Sequence, residues 1–338
     1  MKIRLLLILL VFTGFAYSQT ETETSAVKWL TFKEAQEKNK TLPKPFIIDV
    51  YTDWCGWCKH MMRTTYSNPA LAQYINTNFY PVKFNAETRD TIEYNGEKFT
   101  PSSTLPKAVH NLALKFLGNK QSYPSTIFVG NNYGFNLLTQ GYLDEKKISP
   151  LLVFMVENVY QTSPYEIFEE QFNKTFVDTN FTKKDVRTYS IAEAMALQKK
   201  EPKKILVNIY TNFCHSCIVM NKTTFKDTLV ADYINKNFYL VNFDAESNDT
   251  IVFKNEKLYK QPINGYPLNS FAVKVTNGRL AFPSLVVLDE NLNTLDVVNS
   301  YEHPKFLKPV LIFFAEDRYK TQKWSEFYEN YEAQAKNK

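Results

Sequence analysis

A single displacement of 159 positions lays the second half of this chain over the first, placing Cys55 on Cys214, Cys58 on Cys217 and Pro124 on Pro283. The same displacement carries Val27 to Val186, Glu34 to Glu193, Tyr74-Ile75-Asn76 to Tyr233-Ile234-Asn235, Pro150 to Pro309, Glu157 to Glu316 and Phe168 to Phe327. A unit of this length is a whole domain, because solenoid repeats run to only about 20–50 residues. Two similar domains in series follow, expected at 27–173 and 186–334. The polar stretch 174–185 is the expected linker, and 19–26 (Gln-Thr-Glu-Thr-Glu-Thr-Ser-Ala) is an expected disordered arm.

The first 18 residues set the compartment. Lys2 and Arg4 precede the apolar run Leu5 to Phe12, and Ala16-Tyr17-Ser18 stands before Gln19. A basic start, a short apolar stretch and a small-x-small tripeptide predict a signal peptide cleaved near Ser18-Gln19, hence a periplasmic or secreted chain. The apolar run is shorter than the roughly 20 residues a membrane span requires. Removing this segment takes one Lys and one Arg from the 40 basic side chains, against 35 acidic ones, and leaves a net charge of +3. So small an excess argues against a nucleic-acid partner.

Four cysteines in an exported protein ordinarily point to structural disulfides, but here they form two Cys-x-x-Cys pairs. A two-residue spacer closes almost no loop, so it stabilises little and makes a plausible reactive bond. Zinc fits poorly, since the long separation of the pairs matches no finger or ribbon. Covalent haem is excluded, because Lys59 and Ile218 stand where a His would follow the second Cys. No cofactor is expected beyond the redox-active disulfides Cys55–Cys58 and Cys214–Cys217.

Each repeat opens with a capping-box pattern, Thr31/Glu34 and Ser190/Glu193, which predicts a helix start. The apolar runs 46–51 and 205–210 predict buried central strands that lead directly to the Cys pairs. Helices at 69–78 and 228–236, strands at 80–84 and 239–243, strands at 125–129 and 284–288 and a closing amphipathic helix complete an α/β layer architecture. A Cys between a strand and a helix start meets unpaired N–H groups and the positive end of the helix dipole, and both favour the thiolate. Cys55 and Cys214 are therefore the expected nucleophiles. Cys58 and Cys217, one turn on, are the resolving thiols.

At this point the residues resemble the thioredoxin family. Asp49-Val-Tyr-Thr-Asp-Trp54-Cys55-Gly56-Trp57-Cys58-Lys59 has an Asp six residues before the first Cys, a Trp directly before it and a basic residue after the second, and Tyr123-Pro124-Ser125 looks like the family's cis-proline. The resemblance covers both repeats and is nearest to secreted domains of bacterial disulfide relays. It implies two tandem thioredoxin-like domains, with Asp49 exchanging a proton with Cys58. It also implies substrate contact at Trp54, Pro124 and Pro283, and tuning of the pair by the intervening Trp57. Ordinary trans-prolines opening a strand are the alternative; the repeated spacing of Pro124 and Pro283 favours the substrate-facing role.

The second repeat departs from this pattern: Asn208 stands for Asp49, Phe213 for Trp54 and Ile218 for Lys59. Without the carboxylate, slower exchange is expected. His215, between the second pair of cysteines, is expected to favour the thiolate and make that site the more oxidising one. His60, His110 and His303 carry no expected role. The chain reads as an exported thiol–disulfide oxidoreductase, a reductase or isomerase rather than an oxidase. Its expected partners are exported proteins with cysteines and a membrane or periplasmic electron donor or acceptor. The alternative is a substrate-binding or chaperone-like module with a weak second site.

Overall fold

Thr31 accepts the backbone N–H of Glu34, and Glu34 reaches back to the N–H of Thr31, so the first helix begins where two otherwise unpaired donors are satisfied. The computed structural model describes residues 25–178, 180–263 and 265–336, so the expected signal segment 1–18 and residues 19–24 of the expected arm lie outside it. The last residues of that arm are not free: Ala26 N–H and Ser25 Oγ both donate to the Tyr66 carbonyl.

The first repeat runs α1 (Phe32–Thr41), β1 (Phe46–Tyr51), α2 (Gly56–Arg63), α3 (Pro69–Asn78), β2 (Tyr80–Asn85), the hairpin β3 (Ile92–Tyr94) and β4 (Glu97–Phe99), α4 (Asn111–Leu117), β5 (Ser125–Val129), β6 (Asn136–Gln140), α5 (Glu145–Val156) and α6 (Tyr165–Phe176). Strand β1 is apolar on both faces because both are covered. It lies inside a sheet of order β2-β1-β5-β6, parallel to β2 and antiparallel to β5. Phe32, Ile48, Val50 and Phe84 fill one side, and Ile47, Met61, Ile75 and Phe128 the other. The register sets Asp49 opposite Lys83 on one neighbour and Thr126 on the other.

The second repeat runs α7 (Ile191–Gln198), β7 (Lys204–Tyr210), α8 (His215–Lys222), α9 (Thr228–Asn237), β8 (Phe238–Asp244), β9 (Ile251–Phe253), β10 (Glu256–Leu258), β11 (Lys260–Ile263), β12 (Tyr266–Asn269), α10 (Ser270–Val275), β13 (Ser284–Leu288), β14 (Thr294–Asn299), α11 (Pro304–Ala315) and α12 (Trp324–Lys336). Its sheet has the matching order β8-β7-β13-β14. The hairpin β11–β12 is an addition; the first repeat has only an isolated bridge between Pro101 and His110 there. His110 is a helix cap, its Nδ1 accepting the Leu112 N–H at the head of α4, and His303 does the same for Lys305 at the head of α11.

The two repeats share a core. Helix α6 continues to Phe176, so the expected linker begins as helix, and α6 packs with α5 against α8 of the second repeat. Phe168 is fully buried, its ring edge-on to Tyr301 at 5.3 Å. Thr162 Oγ1 donates to the Tyr301 carbonyl and Ser300 Oγ to the Asn158 carbonyl. Downstream of α6, Asp185 pairs with Lys226 at 2.8 Å and Lys184 N–H donates to the Lys226 carbonyl, which ties the connection to the second repeat.

Candidate active site

Each central strand ends one turn before a cysteine pair, so both pairs stand at the carboxyl edge of a sheet and at the start of a helix. Cys55 Sγ accepts the Cys58 N–H at 3.0 Å, and Cys214 Sγ accepts the Cys217 N–H at 3.1 Å. The first sulfur of each pair therefore caps its helix, which is the placement that favours a thiolate. Both pairs are disulfide-bonded, with S–S distances of 2.00 and 2.04 Å. The expected pairings Cys55–Cys58 and Cys214–Cys217 are both present, and Cys55 and Cys214 are 4% and 3% exposed.

The bonds before Pro124 and Pro283 are both cis, and each proline follows an aromatic residue that meets the aromatic before the first cysteine. Trp54 stands edge-on to Tyr123 at 5.9 Å, and Phe213 edge-on to Phe282 at 6.1 Å. Trp54 is also held by a hydrogen bond from its Nε1 to Glu87 at 2.9 Å. Trp54, Trp57 and Phe213 are all largely exposed. Each redox pair thus has an apolar platform beside it, suited to an unfolded or extended substrate segment.

Beneath the first pair, Asp49 is fully buried on β1, near the equally buried Tyr66, whose phenol is pushed well up by desolvation and then by the Asp49 charge. Lys83, its neighbour in register, lines a small cavity of about 160 Å³ together with Cys58, Lys59 and Met62. The second repeat replaces three of these residues at once: Asp49 by Asn208, Lys83 by Asn242 and Met62 by Asn221. Asn208 Nδ2 donates to Asn221 Oδ1 at 2.8 Å and to Asn242 Oδ1 at 3.0 Å. Loss of the acid is therefore matched by loss of the base beside it. A neutral amide network fills the space, which avoids burying an uncompensated charge. Sequence reasoning found the Asp-to-Asn change and missed its two partners, which lie 13 and 34 residues away and meet it only in the fold.

Around Cys214 the largest difference comes from the first repeat. Glu157, at the C-terminal end of α5, accepts the His215 N–H through Oε1 at 2.9 Å and the Ser216 N–H through Oε2 at 2.6 Å. Its Oε2 lies 3.6 Å from Cys214 Sγ, and its Oε1 lies 3.3 Å from His215 Nδ1. That contact raises the His215 pKa, the hydrogen bond to Glu157 outweighing the effect of burial. Tyr74 and Phe176, also from the first repeat, enclose the imidazole with ring centroids at 6.1 and 6.5 Å. A cavity of about 600 Å³ opens here, bounded by Tyr74, Asn78 and Glu157 on one side and by Phe213, Cys214 and Phe282 on the other. Glu157 was visible in the sequence only as one landmark of the repeat.

The corresponding face of the first repeat is open. Trp57 lies against His60 and Tyr142 at 5.5 and 5.7 Å and is 62% exposed. His60, with no role expected, packs between these two rings. Among the described residues no cluster of three or more His, Cys, Asp or Glu side chains is placed to hold a metal, and no helix is long and apolar enough to cross a membrane.

Two family models match the chain. The model Thioredox_DsbH, described as a protein of unknown function (DUF255), matches residues 15–105, and the model Thioredoxin_7, described as thioredoxin-like, matches residues 186–272. Among curated proteins the chain is similar to the thiol:disulfide interchange protein DsbD of Pectobacterium atrosepticum, 32% identical over 59 residues, which is 17% of this chain and 10% of that protein. The DsbD of Vibrio vulnificus is 33% identical over 64 residues, 17% of this chain and 11% of its own length. The chain therefore matches only about a tenth of the length of these relatives. Among solved structures, a thioredoxin-fold protein from Helicobacter pylori is 17% identical with a TM-score of 0.30, covering 48% of this chain and 94% of its own.

Proposed function

From a chain built of two thioredoxin-like domains in tandem, we propose an exported thiol–disulfide oxidoreductase that exchanges disulfides with protein substrates, acting as reductase or isomerase rather than oxidase. The observation that carries this reading is the pair of disulfides, each with its first sulfur capping a helix at the carboxyl edge of a sheet, beside an aromatic platform and a cis-proline. In this reading Cys55 attacks a substrate disulfide, expelling one substrate thiolate and forming a mixed disulfide. Cys58 then attacks Cys55 Sγ, releasing the second substrate thiol and leaving Cys55–Cys58 oxidised by two electrons. Asp49 takes the proton of Cys58. Trp54, Pro124 and Pro283 hold the substrate segment, and Trp57 and His215 tune the pairs.

The domains are assigned to 27–173 and 186–334, joined through 174–185, with residues 1–18 removed on export to the periplasm or beyond. A periplasm-like compartment supplies no glutathione pool, so a dithiol electron donor, membrane-bound or periplasmic, must recharge the reduced state. Insulin-disulfide reduction by wild type, Cys55→Ser and Cys214→Ser tests the reading. Loss of turnover in Cys55→Ser is expected, and equal background rates in all three proteins would sink it.

A binding module remains the second reading for the second domain alone, because Glu157 already occupies the backbone donors beside Cys214. It predicts that Cys214→Ser leaves turnover intact while weakening retention of an unfolded substrate.

A further inference from the structure

We propose that Glu157, carried by the first domain, is the residue that sets the redox poise of the second pair: by occupying the head of α8 it disfavours the Cys214 thiolate and makes Cys214–Cys217 the more reducing of the two disulfides. The geometry is specific. At the first site the Cys55 sulfur accepts the Cys58 N–H at 3.0 Å, whereas at the second site the N–H groups of His215 and Ser216, beside the equivalent sulfur, are both taken by Glu157 at 2.9 and 2.6 Å. The same carboxylate lies 3.6 Å from Cys214 Sγ.

Reduction of Cys214–Cys217 by a dithiol delivers two electrons and two protons. The proton that ends on Cys214 then faces an acceptor, Glu157 Oε2, so the thiol is the favoured reduced form. A reduced state without thiolate stabilisation is the less stable one, and its disulfide is correspondingly harder to reduce. His215 does not reverse this, because its Nδ1 is directed at the same carboxylate, which offsets its charge before it reaches the sulfur. On this proposal the second site is the more reducing one, opposite to the expectation drawn from His215 alone.

The repeat supplies its own control. Glu316 is the counterpart of Glu157, and each stands near the matching tyrosine, Tyr233 or Tyr74. Glu316 has no redox helix before it, and accepts instead from Arg318 Nη2 at 2.9 Å. One inherited carboxylate thus serves two ends according to what is packed against it.

The inference rests on the reading that the second pair exchanges electrons, and one experiment separates the two. The full chain is equilibrated in a dithiothreitol series, trapped by alkylation and digested, and each pair is quantified by mass spectrometry in wild type, Glu157→Gln and Glu316→Gln. Wild type is expected to hold Cys214–Cys217 oxidised at dithiol concentrations that already reduce Cys55–Cys58. Glu157→Gln is expected to move only the second pair, toward easier reduction, by about tenfold in the equilibrium constant, or about 30 mV. Glu316→Gln should move neither. An unchanged second pair in Glu157→Gln overturns the inference. So does a wild-type second pair as easily reduced as the first, a result that needs no variant to fold. A Cys214–Cys217 bond that resists all dithiol removes the electron-exchange reading along with it.

Discussion

Cys55 and Cys214 cap equivalent helices in two copies of one fold, yet their surroundings share little charge. The first site has a buried carboxylate below it with a lysine beside, and an open face bearing Trp57 and Tyr142. The second has three asparagines below it and the α5–α6 end of its neighbour above it. The same sulfur geometry thus stands once beside an exposed Trp57 and once beside a domain junction. Duplication preserved the sulfur geometry and its burial, with Cys55 and Cys214 at 4% and 3% exposure, while the groups packed around each pair diverged.

Serine at each nucleophile breaks this comparison most directly. Cys55→Ser is expected to lower insulin-disulfide reduction by about 100-fold or more, since nothing replaces the attacking thiolate, whereas Cys214→Ser lowers it by no more than a few-fold. Equal losses would make the two sites partners in one cycle.

Next in size is the junction itself. Phe168→Ala empties a fully buried position between the domains and should cost about 3–5 kcal/mol in denaturant unfolding. In the reduced protein, alkylation of Cys214 should quicken while that of Cys55 does not, because only Cys214 lies under the junction. Matching changes at both cysteines would deny that the first domain shields the second.

Converting the first site toward the second should have a smaller effect. General acid–base assistance contributes about 100-fold or more, so Asp49→Asn is expected to slow the exchange step substantially in stopped-flow tryptophan fluorescence. The double variant Asp49→Asn with Lys83→Asn, which copies Asn208 and Asn242, should be slow as well but more stable than Asp49→Asn alone. An unaltered rate would remove Asp49 from the proton path.

The mildest change concerns Glu302, which stands where the first domain has Leu143. Burial pushes its carboxyl up to about 8, from an ordinary value of 4.5. A raised folded-state pKa means that its favourable protonated form is fully present below about pH 4.5, and that stability is lost as pH rises toward and through 8. Glu302→Leu should therefore raise Tm by about 2–4 °C at pH 8, where each kcal/mol is worth about that much. The gain should shrink toward pH 5, and thermal melts across that range check it. A gain independent of pH would assign the effect to packing alone.

Much of this architecture is legible in local chemistry. The capping boxes at Thr31 and Ser190, the apolar central strands and the helix beginning at Pro69 all follow from short-range rules, and each stands where those rules put it. The edge strands β6 and β14 are not among the expected elements, because half-buried edge strands lack the continuous apolar run of the central ones. One closing helix per repeat is expected, whereas each repeat closes with two, α5 and α6 or α11 and α12, separated at a left-handed residue, Asn158 or Asp317. Of the site, the cysteines, Asp49 and the prolines could be named from spacing and resemblance. Asn221, Asn242 and Glu157 could not, since each acquires its role from a residue distant in the chain.

The sequence by itself determined that there are two domains, that each carries a redox pair at a helix start and that the second lacks the buried acid, because repeats, caps and strand patterns are written locally. Only the tertiary structure decided that the two sites are unequal in their neighbours and in charge. That inequality arises where α6 meets α8 and where Glu157 reaches the N–H groups of His215 and Ser216, contacts set by the packing of whole domains and carried by no motif in either one.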